Sequence, residues 1–221
     1  MSTSDILDTT LHAADGAGSD GTRRAARSGP ATRRTIVVVG IDGAGKTTAA
    51  RALVAREQAA GRPAQLLRNP GGRRWLSRRA ETLGLAVPPP PADRFETVVR
   101  TANVVAAHLR ALAFGGTSVM DRHLVCQLVL RRVRGLPSGR ALGWLAGALP
   151  RPNAVVLLDV PPEIGHARVL ARGEDSETPA YLSAARTHYL SLAAEHGWHL
   201  VDATGSPDEV AGRIEAVALP R

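Results

Sequence analysis

One stretch of the chain limits its fold more than any other, because a phosphate-loop pattern lies there between a strand and a helix. The residues at 40–47, Gly-Ile-Asp-Gly-Ala-Gly-Lys-Thr, fit G-x-x-x-x-G-K-[ST] at every defined position. They follow the β-branched run Thr35–Val39, which has no polar alternation and therefore predicts a strand buried on both faces of a parallel sheet. A helical period over 46–60 follows and ends at Gly61. This order of elements predicts an α/β fold.

The rest of the chain alternates strands and helices in the same way. The predicted strands are 35–39, 64–68, 117–120, 154–159 and 198–201. The predicted helices are 46–60, 77–85, 93–114, 123–132, 139–148, 162–172, 180–196 and 207–218, with the prolines at 88–91 as an exposed, semi-rigid connection. We expect a P-loop NTPase three-layer fold, in which helices flank a five-stranded parallel sheet. Residues 1–34 are rich in Ser, Thr, Gly, Asp and Arg and are expected to be a disordered tail, which leaves 35–221 as one domain.

The loop pattern predicts a site for a polyphosphate. Glycines at 40, 43 and 45 allow the backbone N–H groups to turn inward, and the following helix presents its positive end at the same point. Lys46 is the only lysine among 28 basic residues, and a compact ammonium can reach between phosphates where the guanidinium fork is too broad. The Thr47 hydroxyl is expected to coordinate Mg²⁺.

Composition narrows the remaining classes of function. The single cysteine, Cys126, excludes an intramolecular disulfide, and the sequence has no Cys-x-x-Cys zinc spacing. No apolar run approaches the ~18 residues of a membrane span, so we expect a cytoplasmic protein without membrane contact. The net charge of +8 is compatible with binding to nucleic acid. The chain has only seven aromatic residues, however, which does not favour a surface on which the bases of a single strand would stack.

Two aspartates end predicted strands, where an open parallel sheet places ligand groups. Asp121 ends the third strand and suits Mg²⁺ binding, although it could instead cap the following helix. Asp159 ends the fourth strand, and a ligand role and a structural role are both open for it.

Several segments together make the chain resemble the thymidylate kinase family of P-loop nucleoside monophosphate kinases. They are Gly-Ile-Asp-Gly-Ala-Gly-Lys-Thr-Thr at 40–48, Asn-Pro-Gly-Gly at 69–72, Asp-Arg-His at 121–123, Leu-Leu-Asp-Val-Pro-Pro-Glu at 157–163, Ala-Arg-Gly-Glu-Asp at 171–175, Tyr-Leu at 189–190 and Val-Asp-Ala-Thr at 201–204. The resemblance extends over about residues 35–218. It implies transfer of the γ-phosphoryl group of ATP to dTMP, giving dTDP, with Mg²⁺. It also leaves open a homodimer formed through helices beside the sheet.

The resemblance also implies roles for individual residues. For ATP it implies Gly40, Ile41, Asp42, Gly43, Ala44, Gly45, Lys46, Thr47 and Thr48, with Ala203 and Thr204 near adenine. For the acceptor it implies Arg68, Arg100, Arg122 and Arg186, to which Phe95 and Gln127 are added below. Asp42 matches the family's acidic loop residue, near the sugar 3′-hydroxyl and the acceptor phosphate. Position 43 is glycine, so the phosphate loop itself supplies no arginine. In family members of this kind a lid supplies the positive charge that stabilises the transition state, which points to Arg168 and Arg172 beside a short lid at 173–178. The catalytic set is therefore Lys46, Asp42, Arg122, Arg168 and Arg172, with Thr47 and Asp121 for the metal.

The departures from the family pattern all concern the acceptor side. Asn69 stands where the family usually has glutamate, and Glu96 where an aromatic residue normally stacks on thymine. Phe95 is one residue out of register, and Gln127 offers both a donor and an acceptor to a base edge. Ser176 lies near a lid position where arginine is common.

Two other functions therefore remain open from the sequence. One is a related P-loop kinase that phosphorylates another nucleotide, a nucleoside or a specialised small molecule. The other is a non-catalytic NTP-binding regulatory protein, for which an added basic domain or stacking aromatics would be expected, and the sequence contains neither.

Overall fold

The computed structural model describes residues 33–69, 89–136, 144–145, 147–173 and 177–220. Within these residues the strands are β1 (Arg34–Val39), β2 (Ala64–Arg68), β3 (Thr117–Asp121), β4 (Ala154–Asp159) and β5 (His199–Asp202). The helices are α1 (Lys46–Ala59), α2 (Pro89–Ala113), α3 (Leu124–Val133), α4 (Pro162–Leu170), α5 (Pro179–His196) and α6 (Pro207–Ala218).

The five strands form one parallel sheet in the order β2-β3-β1-β4-β5. The central strand is β1, in which Val38 lies opposite Asp121 of β3 on one side and Val156 of β4 on the other. Because all strands run the same way, the loop after β1 and the ends of β3 and β4 meet at a single edge of the sheet. The predicted ligand groups are thus brought together by topology.

The core lies on both faces of the central strands. The side chains of Ile36–Val39 are fully buried, as the absence of polar alternation predicted. Leu53 of α1 and Ile214 of α6 are also fully buried. Removing such a side chain, as in Leu53→Ala, costs about 2–5 kcal/mol of stability.

Most predicted elements are confirmed with shifts of at most two residues at their ends, whereas α2 begins four residues before the predicted helix at 93–114. The prediction of an exposed connection at 88–91 is wrong, because α2 begins at Pro89. Prolines fit the first turn of a helix, where their missing N–H groups would have no intrahelical partner. The predicted helix at 77–85 lies outside the described residues, as does most of the one at 139–148. No helix in the described part of the chain is long and apolar enough to cross a bilayer.

Candidate active site

The loop between β1 and α1 turns on glycines, and at Gly43 there is no room for a side chain. Gly43 and Gly45 have φ values of 82° and 81°, in the left-handed region that favours glycine. A Cβ atom on Gly43 would lie 2.0 Å from the carbonyl oxygen of Gly165 in α4. The loop is therefore packed directly against the backbone of α4.

Lys46 begins α1 and turns back over this loop. Its side chain is 5% exposed, and its Nζ donates to the carbonyl oxygen of Ile41 at 2.6 Å. The Oδ1 atom of Asp42 is 3.6 Å from the same Nζ. Burial lowers the pKa of Lys46, and the Arg122 cation lowers it further, while Asp42 opposes the shift. A polyphosphate in the loop would supply the negative charge that this buried ammonium has only in part.

Thr47 and Asp121 meet at the edge of the sheet. The Thr47 hydroxyl donates to Oδ2 of Asp121, whereas the buried Oδ1 has no hydrogen-bond partner among the residues that the structure describes. Helix α3 has His123 as its N-cap, so Asp121 does not cap it. A hydroxyl beside an unsatisfied carboxylate oxygen is a donor set that fits Mg²⁺.

Arg122 links the loop to the end of β3. Its guanidinium donates to Oδ1 of Asp42 at 2.9 Å, and its backbone N–H donates to the carbonyl oxygen of Val38 at 3.1 Å. Burial would raise the pKa of Asp42, but the Lys46 and Arg122 cations outweigh it and hold that pKa well below its usual value. Arg122 has a φ of 78°, which is costly for a residue with a side chain and is typical of functional sites.

A pocket opens beside Arg122, between α2 and α3. Its polar and sulfur-containing walls are formed by Asn69, Arg100, Arg122, His123, Cys126 and Gln127. Three predicted acceptor residues, Arg100, Arg122 and Gln127, are thus brought together. The Gln127 side chain is 3% exposed, and its Nε2 has no hydrogen-bond partner in the described part of the chain. The pocket therefore offers two guanidinium groups and one amide donor to a bound molecule.

The other predicted acceptor residues lie elsewhere. Arg68 is exposed at the end of β2, and Phe95 lies in α2 with its side chain outside the described part. Arg186 of α5 donates to both carboxylate oxygens of Asp159, at 2.7 and 2.8 Å. Asp159 therefore takes part in an ion pair between β4 and α5 in the described structure.

The predicted adenine segment is held by one of the predicted lid arginines. Arg168 of α4 donates to the carbonyl oxygens of Ala203 and Thr204, at 2.9 and 3.1 Å. Arg172 uses its Nε to donate to the carbonyl oxygen of Arg168. Residues 174–176 of the lid, including Ser176, lie outside the described residues.

Three contacts of the site could not be predicted from the sequence. Gly165 supports the phosphate loop, the buried His108 faces His123 with 3.0 Å between their Nε2 atoms, and Asn69 lines the pocket. In the sequence Asn69 stands out only as a departure from a family pattern, and its contact with β3 has no signal there. Gly165 and His108 also have no signal in the sequence, because tertiary packing alone brings them to the site.

The chain is similar in sequence to proteins of one known family. The family model described as thymidylate kinase matches residues 38–214. A thymidylate kinase from Xanthomonas oryzae pv. oryzae (strain PXO99A) is 35% identical over 192 residues, which cover 83% of this chain and 82% of that protein. Thymidylate kinases from Xanthomonas campestris pv. campestris (strain B100) and Xylella fastidiosa (strain 9a5c) are 33% and 30% identical. The alignments cover 83% of this chain in both cases, and 82% and 89% of those two proteins.

Proposed function

The chain belongs to the thymidylate kinase family, and from this membership we propose that it transfers the γ-phosphoryl group of ATP to dTMP, giving dTDP. One observation carries the proposal beyond membership: Arg122 lines the acceptor pocket and also binds Asp42 of the phosphate loop. A single side chain thus adjoins both the donor site and the acceptor site, as a direct transfer between two bound nucleotides requires.

The donor phosphates are bound by the loop at 40–48. Backbone N–H groups of the loop and the N-terminus of α1 face the β- and γ-phosphates, and the Lys46 ammonium balances their charge. Ala203 and Thr204 are assigned to the adenine by family resemblance, on a segment whose carbonyl groups accept hydrogen bonds from Arg168.

Thr47 and Asp121 would hold Mg²⁺ between the phosphates and the end of β3. Bound there, the ion would neutralise charge on the β- and γ-phosphate oxygens. Asp121 contributes its unsatisfied Oδ1, directly or through water, and Oδ2 orients the Thr47 hydroxyl.

Transfer needs little acid–base chemistry from the protein. An oxygen of the acceptor phosphate attacks the γ-phosphorus, the bond from that phosphorus to the β–γ bridging oxygen breaks, and ADP leaves. Because the nucleophile is already anionic, the protein must align it and neutralise charge. Arg100 and Arg122 bind the acceptor phosphate. Arg68 and Arg186 are assigned to acceptor binding by family resemblance, and Phe95 is assigned to it because it adjoins the position where the family has a stacking aromatic residue. Of the two predicted lid arginines, Arg172 is the better candidate for stabilising the charge of the transition state. The guanidinium of Arg168 already donates two hydrogen bonds, to the carbonyl oxygens of Ala203 and Thr204.

The decisive experiment is a panel of acceptors. A coupled assay of ADP release, with dTDP measured by chromatography, should show turnover with dTMP, weaker turnover with dUMP and none with thymidine. As a matched variant, Gln127→Leu should raise KM for dTMP and leave KM for ATP unchanged, because the amide lies in the acceptor pocket alone. Tight ATP binding with no transfer to any acceptor would contradict the proposal, and transfer to another acceptor would change its substrate.

We also propose that the protein forms homodimers in the cytoplasm, through an apolar face of α2. Val98, Leu109 and Leu112 are 65%, 63% and 43% exposed, and their spacing places them on one side of that helix. The variant Leu109→Glu should shift the mass measured by light scattering from dimer to monomer, whereas Leu200→Glu, on the exposed face of β5, should not. A wild-type monomer at micromolar concentration would contradict this.

A further inference from the structure

Asn69 joins the ends of two neighbouring strands at the floor of the acceptor pocket. It directly follows β2, and its backbone N–H donates to the carbonyl oxygen of Asp121 at 3.2 Å. Its side-chain Nδ2 donates to the carbonyl oxygen of Arg122 at 2.7 Å. The side chain is 3% exposed, so this bond is formed where water competes little for the same carbonyl.

The residue that Asn69 holds is the one whose backbone is strained. With a φ of 78°, Arg122 has a conformation that residues with side chains seldom adopt, and it persists only where surrounding contacts fix it. The N–H of Arg122 is fixed by Val38, and its carbonyl group is fixed by Asn69. Between these two bonds the side chain projects toward Oδ1 of Asp42.

The chemistry of this contact depends on an amide. The family resemblance places glutamate at this position, and an ionised carboxylate has no N–H to donate to a carbonyl group. We propose that Asn69 is a positioning residue for the phosphoryl transfer, whose Nδ2 keeps the Arg122 backbone in the left-handed conformation that directs its guanidinium to Asp42 and the acceptor. This inference rests on the proposed function of the site.

Two substitutions test the role of the amide while keeping the branched shape of the side chain. Asn69→Leu keeps the number and branching of the side-chain heavy atoms but has no donor, so kcat with dTMP should fall by about ten- to a hundredfold because Arg122 is misplaced. The affinity for a fluorescent ATP analogue should change by less than about twofold, since binding of the donor phosphates depends on the loop and Lys46. The matched control is Asn153→Leu, which removes an asparagine bond to the Thr35 backbone N–H at the opposite end of the sheet. It should lower the melting temperature and leave kcat unchanged.

The second substitution, Asn69→Asp, should make kcat depend on pH in a way that a mere loss of packing would not. The carboxylate cannot donate at pH 8, but the protonated acid can donate its O–H to the carbonyl oxygen of Arg122. The ratio of variant to wild-type kcat should therefore rise as the pH falls from 8 to 5.5, while the same ratio for Asn69→Leu stays constant.

The outcomes separate this inference from the proposed function. If wild-type protein phosphorylates dTMP and Asn69→Leu retains more than half of kcat, the positioning role is wrong. A loss of kcat in Asn69→Leu that is matched by loss of ATP affinity would also overturn it, because the variant would then have damaged the whole site. If wild-type protein phosphorylates no acceptor, the proposed function fails and this inference falls with it.

Discussion

At the scale of single residues, the loop lysine shows how geometry outweighs charge. The chain has 28 basic residues, and every one except Lys46 is arginine. The Nζ of Lys46 lies 2.6 Å from the carbonyl oxygen of Ile41, inside the turn of the phosphate loop. A planar guanidinium carries the same charge but is broader and bonds in a fixed fork. The position therefore requires a narrow cation on a flexible stem.

Lys46→Arg should lower kcat by at least about a hundredfold, because the charge is kept while its position between the phosphates is lost. The melting temperature should stay close to that of wild type, since the positive charge near Asp42 remains. Steady-state kinetics and a thermal melt measure the two effects. Near wild-type turnover would mean that charge alone is sufficient at this position.

The paired histidines should make folding stability depend on pH. Burial and the neighbouring His108 lower the pKa of His123 to about 3, and burial lowers that of His108. In the unfolded chain both take up protons near pH ~6.5. Between that pH and their lower folded values the unfolded state binds more protons. Stability should therefore fall as the pH falls, by up to about 1.4 kcal/mol per pH unit for each histidine.

Urea unfolding at pH 7.5 and 5.5 checks this dependence. The variant His108→Gln, which keeps a hydrogen-bonding group beside His123, should lose less stability than wild type over that interval. His199→Gln, on the exposed side of β5, should behave as wild type does. Equal losses in all three proteins would show that other groups control the acid sensitivity.

At the scale of elements, the contact between the phosphate loop and α4 depends on two glycines. A Cβ atom on Gly165 would lie 2.8 Å from the carbonyl oxygen of Asp42. Ordinarily, Gly→Ala inside a helix stabilises it by about 1 kcal/mol. Here the added methyl group would push the loop away from α4, and overpacking of this kind costs about 1–3 kcal/mol.

Gly165→Ala should therefore lower stability and raise KM for ATP, whereas Gly212→Ala in α6 should raise stability and leave KM unchanged. The two variants make the same substitution in a helix, and the nearest atom to a Cβ at Gly212 is 3.9 Å away, on Arg56. Calorimetry and ATP titration of the kinetics measure both effects. If the two variants behaved alike, the loop would not depend on this contact.

The sequence predicts elements whose signal is local, and it fails where a contact is made by topology. Thr35–Val39 and the phosphate loop were predicted because a buried strand and a glycine turn are visible in consecutive residues. The prolines at 88–91 were wrongly predicted to form a connection, because a proline run is compatible both with a connection and with the first turn of a helix, and α2 begins at Pro89. The pairing of Arg186 with Asp159 could not be predicted, because it depends on where α5 crosses β4.

At the scale of the whole molecule, the order of strands explains why the site is compact. β1 lies between β3 and β4, so the loop after β1 is flanked by the ends of both neighbours. Asp121, Arg122 and the residues after β4 therefore reach the same loop from opposite sides. The sequence predicts five parallel strands, but their spatial order follows from pairings over long separations, which no local pattern records.

Residues 1–32 precede β1 and the rest of the described structure. In the described structure the buried core is formed by side chains between Ile36 and Leu219, and the first strand begins at Arg34, whose backbone N–H donates to the carbonyl oxygen of Gly116. Deleting residues 1–32 should thus change the melting temperature by less than about 2 °C and leave kcat unchanged, because every core residue of the described structure is kept. Deleting residues 1–37 should abolish folding, since it removes most of the central strand, including the fully buried Ile36 and Val37. A large loss of activity in the shorter deletion alone would show that the tail takes part in the site.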